Sequence, residues 1–192
     1  MSDLPVALLL AAGYSRRFGA DKRLAQLANG THVAVQSAWL LQAAGLAVQA
    51  VIRPEDERLQ LLFQQQGVHC IDCMEAALGM AASLRAGVEA TPQAAAWLVA
   101  LADMPFIQPA TVQRLIAVWR QQGGIVLPSW QGKRGHPVIF TAPYREALLA
   151  LQGDQGARPV LQQHAAAVQT VPLEDAGIHQ DIDTPQALAL WQ

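Results

Sequence analysis

A short apolar run near the N-terminus, followed by a basic loop that contains glycines, constrains the fold more than any other feature. Residues 6–12 are all apolar, Gly13 follows them, and Arg16, Arg17 and Lys22 lie in the loop beyond it. A continuous apolar run of this length predicts a strand that is buried on both faces. The loop after such a strand can present backbone N–H groups and cations to phosphate oxygens. We therefore expect an anion-binding loop at the end of the first strand.

The spacing of this loop disfavours two common phosphate-binding motifs. Gly13 and Gly19 allow a close backbone approach to a ligand, but the loop fits neither G-x-G-x-x-G nor G-x-x-x-x-G-K-[ST]. A dinucleotide-binding fingerprint and a P-loop are therefore not expected. On spacing alone, a loop whose arginines are simply solvated remains an alternative.

Composition predicts one folded domain over residues 1–192. Hydrophobic residues make up 52% of the chain and charged residues 15%, which argues against extensive disorder. A net charge of −2 argues against a general nucleic-acid binder, which would need a basic face. The longest apolar run, residues 94–102, ends at Asp103 and is too short to span a membrane. With only two cysteines and no basic signal region, we expect a cytoplasmic protein.

Short apolar segments alternate with longer amphipathic ones along the chain. This is the pattern of βαβ units, which predicts an α/β fold with a mostly parallel central sheet covered by helices. The predicted strands are 6–12, 46–52, 68–71, 95–102, 124–128, 137–140 and 168–171. The predicted helices are 31–44, 55–66, 80–89, one from 109, 143–151, 160–164 and one from 185, and residues 129–135 are predicted to be a turn.

Ligands of open α/β sheets bind beyond the carboxyl ends of the strands. Asp103 follows the most continuous apolar strand, so its carboxylate would be desolvated unless it met a cation. Mg²⁺ prefers one or two carboxylates together with substrate phosphates. Asp181 and Asp183, just before the last helix, offer further carboxylates. For all three aspartates, a capping or turn role is the alternative.

Two other groups of residues carry weaker signals. Cys70 and Cys73 form a C-x-x-C pair, but on an extended strand positions three apart point to opposite faces and cannot share a metal. They are more simply interpreted as small buried residues. His136 could contact a base or substrate, or could be a hydrogen-bonded turn residue.

Six stretches, in order, resemble the motifs of the MobA-like NTP transferases, and most closely those of the molybdenum cofactor cytidylyltransferases. The first matches the pattern L-A-A-G-x-S-x-R-x-G-x-x-K, and the third is the Asp103 motif. The six stretches are 10–22, 79–84, 101–105, 134–137, 153–158 and 181–185. The resemblance implies a three-layer Rossmann-like nucleotidyltransferase fold. It also implies transfer of CMP from CTP to the terminal phosphate of molybdopterin or Mo-molybdopterin, with release of pyrophosphate.

The resemblance also implies roles for individual residues. Arg17, Lys22 and Asp103 would be catalytic, and Asp103 with Asp181 or Asp183 would hold Mg²⁺. His136 and Arg158 would face the pterin substrate. The nucleotide would be bound by Leu10, Ala11, Ala12, Gly13, Ser15, Arg16, Gly19, Gly79 and Ser83. A client molybdoenzyme or its chaperone would be a protein partner.

Three alternatives to cytidylyl transfer remain. Guanylyltransferases of the same branch typically carry L-A-G-G where this chain has Leu10-Ala11-Ala12-Gly13, and the methyl group of Ala12 would crowd a purine. A sugar-phosphate or polyol-phosphate transferase would account for the first loop but not for the later motifs. A nucleotide-binding partner of a molybdoenzyme, without turnover, belongs to a different functional class.

Overall fold

A mixed β-sheet forms the centre of the fold. The computed structural model describes residues 4–15 and 18–189. Within these ranges the sheet has eight strands in the order β3-β2-β1-β4-β7-β5-β6, with β8 also paired to β5. The strands are β1 (Val6–Leu10), β2 (Val48–Ile52), β3 (His69–Asp72), β4 (Ala96–Leu101), β5 (Ile125–Trp130), β6 (Lys133–Arg134), β7 (Val138–Thr141) and β8 (Val168–Pro172).

Most strand pairs are parallel. β1 pairs in parallel with β2 and β4, β2 with β3, and β5 with β8, whereas β7 runs antiparallel to both β4 and β5. The helices are α1 (Val33–Ala43), α2 (Glu57–Gln65), α3 (Met80–Ala90), α4 (Pro109–Gln122), α5 (Arg145–Leu149), α6 (Arg158–Gln163) and α7 (Pro185–Ala189). No helix among the described residues is long and apolar enough to cross a membrane.

Alternation along β1 divides the core into two layers. Ala7 and Leu9 pack on one face of the sheet with side chains from α1, α2 and α4. Leu8 and Leu10 pack on the other face with side chains from α3, α5 and α6. Because both faces of this central strand are covered, every one of its core positions is apolar. The predicted three-layer α/β fold with a mostly parallel sheet is confirmed.

The two cysteines lie on opposite sides of the sheet, as the strand spacing predicts. Cys70 packs against the layer that contains Leu9, and Cys73 belongs to the layer that contains Leu8. Burial raises the pKa of the Cys70 thiol to about 11, which favours the neutral form. The pair therefore serves as small packing residues and not as one metal site.

The region predicted to be a single turn, residues 129–135, is a hairpin instead. β5 continues to Trp130 and pairs with β6 in antiparallel register, Trp130 opposite Lys133. The reversal falls at Gln131 and Gly132, which both have positive φ, 49° and 76°. Gln131 and Gly132 form a two-residue hairpin turn between the strands. The prediction of one turn over residues 129–135 missed the two short strand segments on either side of it.

A segment near the C-terminus brings two aspartates to the sheet. Gly177 packs directly against the backbone of Phe106, and a Cβ at this glycine would lie 2.2 Å from the Phe106 carbonyl oxygen. Further along, the Ile182 N–H donates to the carbonyl oxygen of Asp103 at 2.9 Å. The Ile182 side chain is buried in a small apolar cluster with Leu27, Val33 and Leu188. The segment is thus fixed at two points to the loop that follows β4.

We expect Gly177→Ala to destabilise the protein because a methyl group would collide with backbone atoms that cannot rotate away. Overpacking of this kind typically costs about 1–3 kcal/mol. Urea unfolding would measure the change in the free energy of unfolding. Gly13→Ala is the control, since nothing lies within 4 Å of a Cβ there and its φ is not positive. Equal stability of the two variants would show that the contact with Phe106 is not rigid.

Candidate active site

A cavity of about 670 Å³ opens at the carboxyl ends of β1 and β4. This is the position at which open α/β sheets bind ligands, and the volume suits a small molecule. Its walls are formed by residues 10–15, 22–23, 76–80, 101–103 and 153–154, together with Ser83, Asp181 and Asp183. Segments that are far apart in the sequence therefore meet around one space.

Lys22 joins two of the predicted metal-binding aspartates. Its Nζ donates to Asp103 Oδ2 at 2.5 Å and to Asp183 Oδ1 at 2.6 Å. The Lys22 and Asp103 side chains are 14% and 19% exposed, so the interactions are partly shielded from water. Charged hydrogen bonds in such a setting are stronger than those at a free surface.

Local structure explains why these three side chains converge. Lys22 begins a single turn of 3₁₀ helix, and the Asp21 carboxylate caps this turn by accepting the N–H of Arg23. The backbone N–H of Lys22 donates to Ser15 Oγ at 3.3 Å. Asp103 follows β4 directly. Asp183 is adjacent to the anchored Ile182. Each functional group is thus attached to a fixed backbone position.

Among the described residues at this edge, three carboxylates lie near the ammonium group of Lys22. Burial would lower the pKa of Lys22, but Asp103 and Asp183 outweigh it and raise that pKa, so the ammonium form persists. Burial raises the pKa of Asp181, and the charges of Asp183 and Asp103 raise it further. Lys22 pairs with two of these three carboxylates, Asp103 and Asp183, and not with Asp181.

The residues present fit a divalent cation that is shared with a substrate. Asp103 Oδ1 is buried and has no hydrogen-bond partner within the described ranges. A carboxylate oxygen of this kind is a ligand that Mg²⁺ or Mn²⁺ prefers. No three His, Cys, Asp or Glu side chains in the described part of the chain form a complete metal-binding group. Asp103 and Asp183 are candidate ligands for such a cation, and their metal-binding role stays a prediction.

The opposite wall is formed by two loops that pack tightly against each other. Gly79 has a φ of 106°, and a Cβ there would lie 2.6 Å from the Gly153 carbonyl oxygen. The N–H of Ala81 donates to that same oxygen, and the N–H of Met80 donates to Asp154 Oδ1. Only glycine satisfies both the backbone conformation and the close approach. The sequence motif around Gly79 did not predict the role of Asp154, because its partner lies 74 residues away.

A buried ion-pair network lies behind the first loop and was not predicted. Arg23 is 2% exposed and pairs with Asp21 and Asp56, while Arg53 also pairs with Asp56. Burial would raise the pKa of Asp56, but hydrogen bonds from Arg23 and Arg53 outweigh it and hold that pKa at about 2. Arg23 is adjacent to Lys22 in a visibly basic loop, yet nothing in the local pattern indicated that it would be buried.

The cavity gathers most of the residues predicted for the site. Those among its lining residues are Leu10, Ala11, Ala12, Gly13, Ser15, Lys22, Gly79, Ser83, Asp103, Asp181 and Asp183. Gly19 is exposed and does not line the cavity. Arg16 and Arg17 lie outside the described residues.

The two residues predicted to face a pterin, His136 and Arg158, do not line the cavity. Arg158 is exposed at the start of α6. His136 Nδ1 is buried and has no hydrogen-bond partner among the described residues. Burial lowers the pKa of His136, and the charges of Asp103 and Asp181 offset this only in part. His136 is thus close enough for the charges of Asp103 and Asp181 to affect its pKa. Its role in acceptor binding stays a prediction.

The MobA-like NTP transferase domain matches this chain over residues 7–168. The chain belongs to that family. The match includes the first loop, the loop at Gly79 and Asp103, whereas Asp181 and Asp183 lie beyond it. The family assignment supports a nucleotidyltransferase, and the binding of a nucleotide in this cavity stays a prediction.

Relatives match over almost the whole chain. The nicotine blue oxidoreductase of Paenarthrobacter nicotinovorans is 27% identical over 198 residues, which cover 97% of both chains. A nucleotidyl transferase from Methanothermobacter thermautotrophicus has a TM-score of 0.84 at 20% identity and covers 99% of this chain and 97% of its own. Rv0371c from Mycobacterium tuberculosis H37Rv, solved in complex with manganese, has a TM-score of 0.79 at 23% identity, with 98% and 97% covered. At such identities the two structures support the fold, and the manganese complex provides a relative with a divalent cation.

We expect Asp56→Asn to destabilise the MobA-like chain in a pH-dependent way. Removing one partner of a buried ion pair costs about 3–5 kcal/mol near neutral pH. Because the pKa of Asp56 falls from its ordinary 3.8 to about 2 on folding, about 2 kcal/mol of stability is present above pH 3.8 and is lost as the pH falls towards 2.

Urea unfolding of the wild type and of Asp56→Asn at a series of pH values would measure this contribution. The difference between their free energies of unfolding should shrink as the pH falls from 3.8 towards 2. A difference that stays constant over this window would mean that the ionised Asp56 is not what Arg23 and Arg53 stabilise.

Proposed function

We propose that this MobA-like chain is a molybdenum cofactor cytidylyltransferase. It transfers CMP from CTP to the terminal phosphate of molybdopterin or Mo-molybdopterin and releases pyrophosphate, in the cytoplasm. The observation that carries the proposal is the convergence of Lys22, Asp103 and Asp183 within the cavity, with distances of 2.5 and 2.6 Å from the lysine Nζ to the two carboxylates. Phosphoryl-type transfer needs this kind of positioned charge more than it needs a protein nucleophile.

In the proposed reaction, a terminal phosphate oxygen of the acceptor attacks the α-phosphorus of CTP. A new phosphoanhydride bond forms while the bond to the bridging oxygen of pyrophosphate breaks. Lys22 contributes a positive charge to the triphosphate as that bond breaks. Mg²⁺, held by Asp103 and by Asp183 or Asp181, supplies further neutralisation of phosphate charge when it is bound. The predicted contribution of Arg17 stays an expectation from its motif.

The choice of CTP depends on the first loop. Ala11 and Ala12 line the cavity but are only 1% and 2% exposed, because Ala11 packs in the layer that contains Leu9 and Ala12 in the layer that contains Leu8. The two residues thus form a close-packed part of the cavity wall. A methyl group at position 12 leaves less room than a glycine would. This supports a pyrimidine over a purine, and hence CTP over GTP. The acceptor is inferred from the motifs at residues 134–137 and 153–158.

A pyrophosphate-release assay tests the proposal. The purified protein would be incubated with CTP, GTP or ATP and Mg²⁺, each with and without Mo-molybdopterin. We expect release with CTP that depends on Mo-molybdopterin. Release with GTP alone would replace the cytidylyl proposal with a guanylyl one, and no release with any nucleotide would favour a binding protein without turnover.

The relative that is 27% identical over almost the full length favours a second candidate, an oxidoreductase that acts on nicotine blue or a similar compound. An oxidoreductase needs an electron donor or acceptor besides this compound, and reduced nicotinamide dinucleotides would be supplied as the donor in the test. Loss of the colour of nicotine blue with NADH or NADPH would measure it. Colour loss together with no pyrophosphate release would establish this candidate over nucleotidyl transfer.

We expect Lys22→Ala and Asp103→Ala each to raise the barrier for CMP transfer by about 3–4 kcal/mol, a loss of rate of roughly two to three orders of magnitude. The physical reason is that each variant removes one fixed charge from the site. Steady-state rates of pyrophosphate release would measure the effect, and circular dichroism would check that the fold is intact.

Matched controls are available for both substitutions. Lys133 is exposed on β6 and Asp72 is exposed at the end of β3, and neither lines the cavity. Lys133→Ala and Asp72→Ala should leave the rate close to that of the wild type. If Lys22→Ala or Asp103→Ala behaves like its control, that residue has no part in the mechanism.

A further inference from the structure

Arg23 lies in the cavity wall, but its hydrogen-bonding capacity is already used. The guanidinium has five N–H donors. Nε and Nη2 donate to the two oxygens of Asp21 at 2.8 and 2.6 Å. Nη1 and Nη2 donate to the two oxygens of Asp56 at 2.5 and 2.8 Å, and the remaining Nη1 donor reaches the Ala11 carbonyl oxygen. Arg23 therefore has no donor left for a phosphate, although it follows Lys22 directly.

Charge in this network is balanced. We use the name Arg23 clamp for Asp21, Arg23, Arg53 and Asp56, which comprise two cations and two anions. Arg53 donates to both oxygens of Asp56 from the end of β2. Bidentate pairs of this kind fix geometry as well as charge. The clamp is thus a rigid, neutral element and not an anion site.

The clamp holds the backbone that carries the alanine wall. The N–H of Ala11 donates to the Val51 carbonyl oxygen on β2 at 2.8 Å, and its own carbonyl accepts from Arg23. Both polar groups of this residue are therefore fixed just after β1 ends. The same guanidinium binds Asp21, which precedes Lys22. Arg23 therefore fixes the distance between the Ala11 backbone and the turn that carries Lys22.

We propose that Arg23 is a specificity-determining residue, because it prevents the backbone at Ala11 and Ala12 from moving away to admit a larger base. A cavity wall discriminates between ligands by size only when its backbone cannot move, since a soft wall repacks around the larger ligand. Discrimination by one methyl-sized steric difference is worth about 10- to 200-fold. This inference rests on the proposed function, which assigns the cavity to a nucleotide.

Nucleotide binding to Arg23→Lys tests the inference. Lysine keeps the positive charge but cannot span both aspartates and the Ala11 carbonyl. Isothermal titration with CTP, GTP and inorganic tripolyphosphate, each with Mg²⁺, would give the three dissociation constants without any acceptor. We expect the ratio between the CTP and GTP constants to fall about tenfold towards one, while tripolyphosphate binding stays the same.

The control is Arg85→Lys, the same substitution at an arginine that is 25% exposed and pairs with Glu75, outside the clamp. It should leave all three constants unchanged. If Arg23→Lys does not fold, Arg53→Lys replaces it, since Arg53 belongs to the clamp but does not donate to Ala11; a smaller fall in the ratio is then expected. An unchanged CTP to GTP ratio, or equal weakening of CTP, GTP and tripolyphosphate, would overturn the inference.

The outcome is separable from that of the proposed function. A wild type that prefers GTP, or that does not transfer CMP to molybdopterin, contradicts the proposed function. A wild type that prefers GTP also removes the premise of the inference about Arg23. A preference for CTP that survives in the clamp variants contradicts that inference alone.

Discussion

The interaction on which the site depends is the pair of hydrogen bonds from Lys22 Nζ to Asp103 and Asp183. The two aspartates are 81 and 161 positions from the lysine. Lys22 lies in the first loop, Asp103 at the end of β4 and Asp183 in the segment before α7. Two carboxylates at the partly buried edge of a sheet would repel each other, and the ammonium between them offsets that repulsion. The sheet supplies the edge at which the segments can meet, and the lysine makes their meeting favourable.

One ammonium does not balance the charge at this edge. Asp181 also lines the cavity, and the charges of Asp183 and Asp103 add to burial in raising its pKa. A nucleoside triphosphate, which is strongly anionic, would be repelled by such a group of carboxylates if it arrived alone. A divalent cation resolves the conflict, because it attracts both the carboxylates and the phosphates. If the cavity binds a triphosphate, as proposed, these carboxylates would favour its complex with a divalent cation over the free anion.

The fold was predictable from the sequence because its signals are local. The apolar run at residues 6–12 indicated a central strand, and Asp103 could be placed at a strand end from the run before it. Two interactions between distant segments were not predicted. Position 79 must be glycine because the Gly153 carbonyl lies too close for a side chain. Arg23 is buried because it pairs with Asp56, 33 residues away. No spacing rule connects either residue to its partner in the sequence. Boundaries were also approximate, since β1 ends at Leu10 while the buried wall continues to Ala12.

The two adjacent cations of the first loop, Lys22 and Arg23, differ in whether they can change hydrogen-bond partners. Lysine is a point charge on a flexible stem, so Lys22 can turn from carboxylate oxygens to phosphate oxygens at little cost in geometry. Arginine is a planar group with a fixed set of donors, and all five donors of Arg23 are committed to the protein. If Arg23 also had to serve a substrate, each binding event would leave a buried carboxylate or carbonyl unpaired, which is costly. In the proposed reaction, Lys22 would change partners to the phosphates while Arg23 holds the backbone of Ala11 in place.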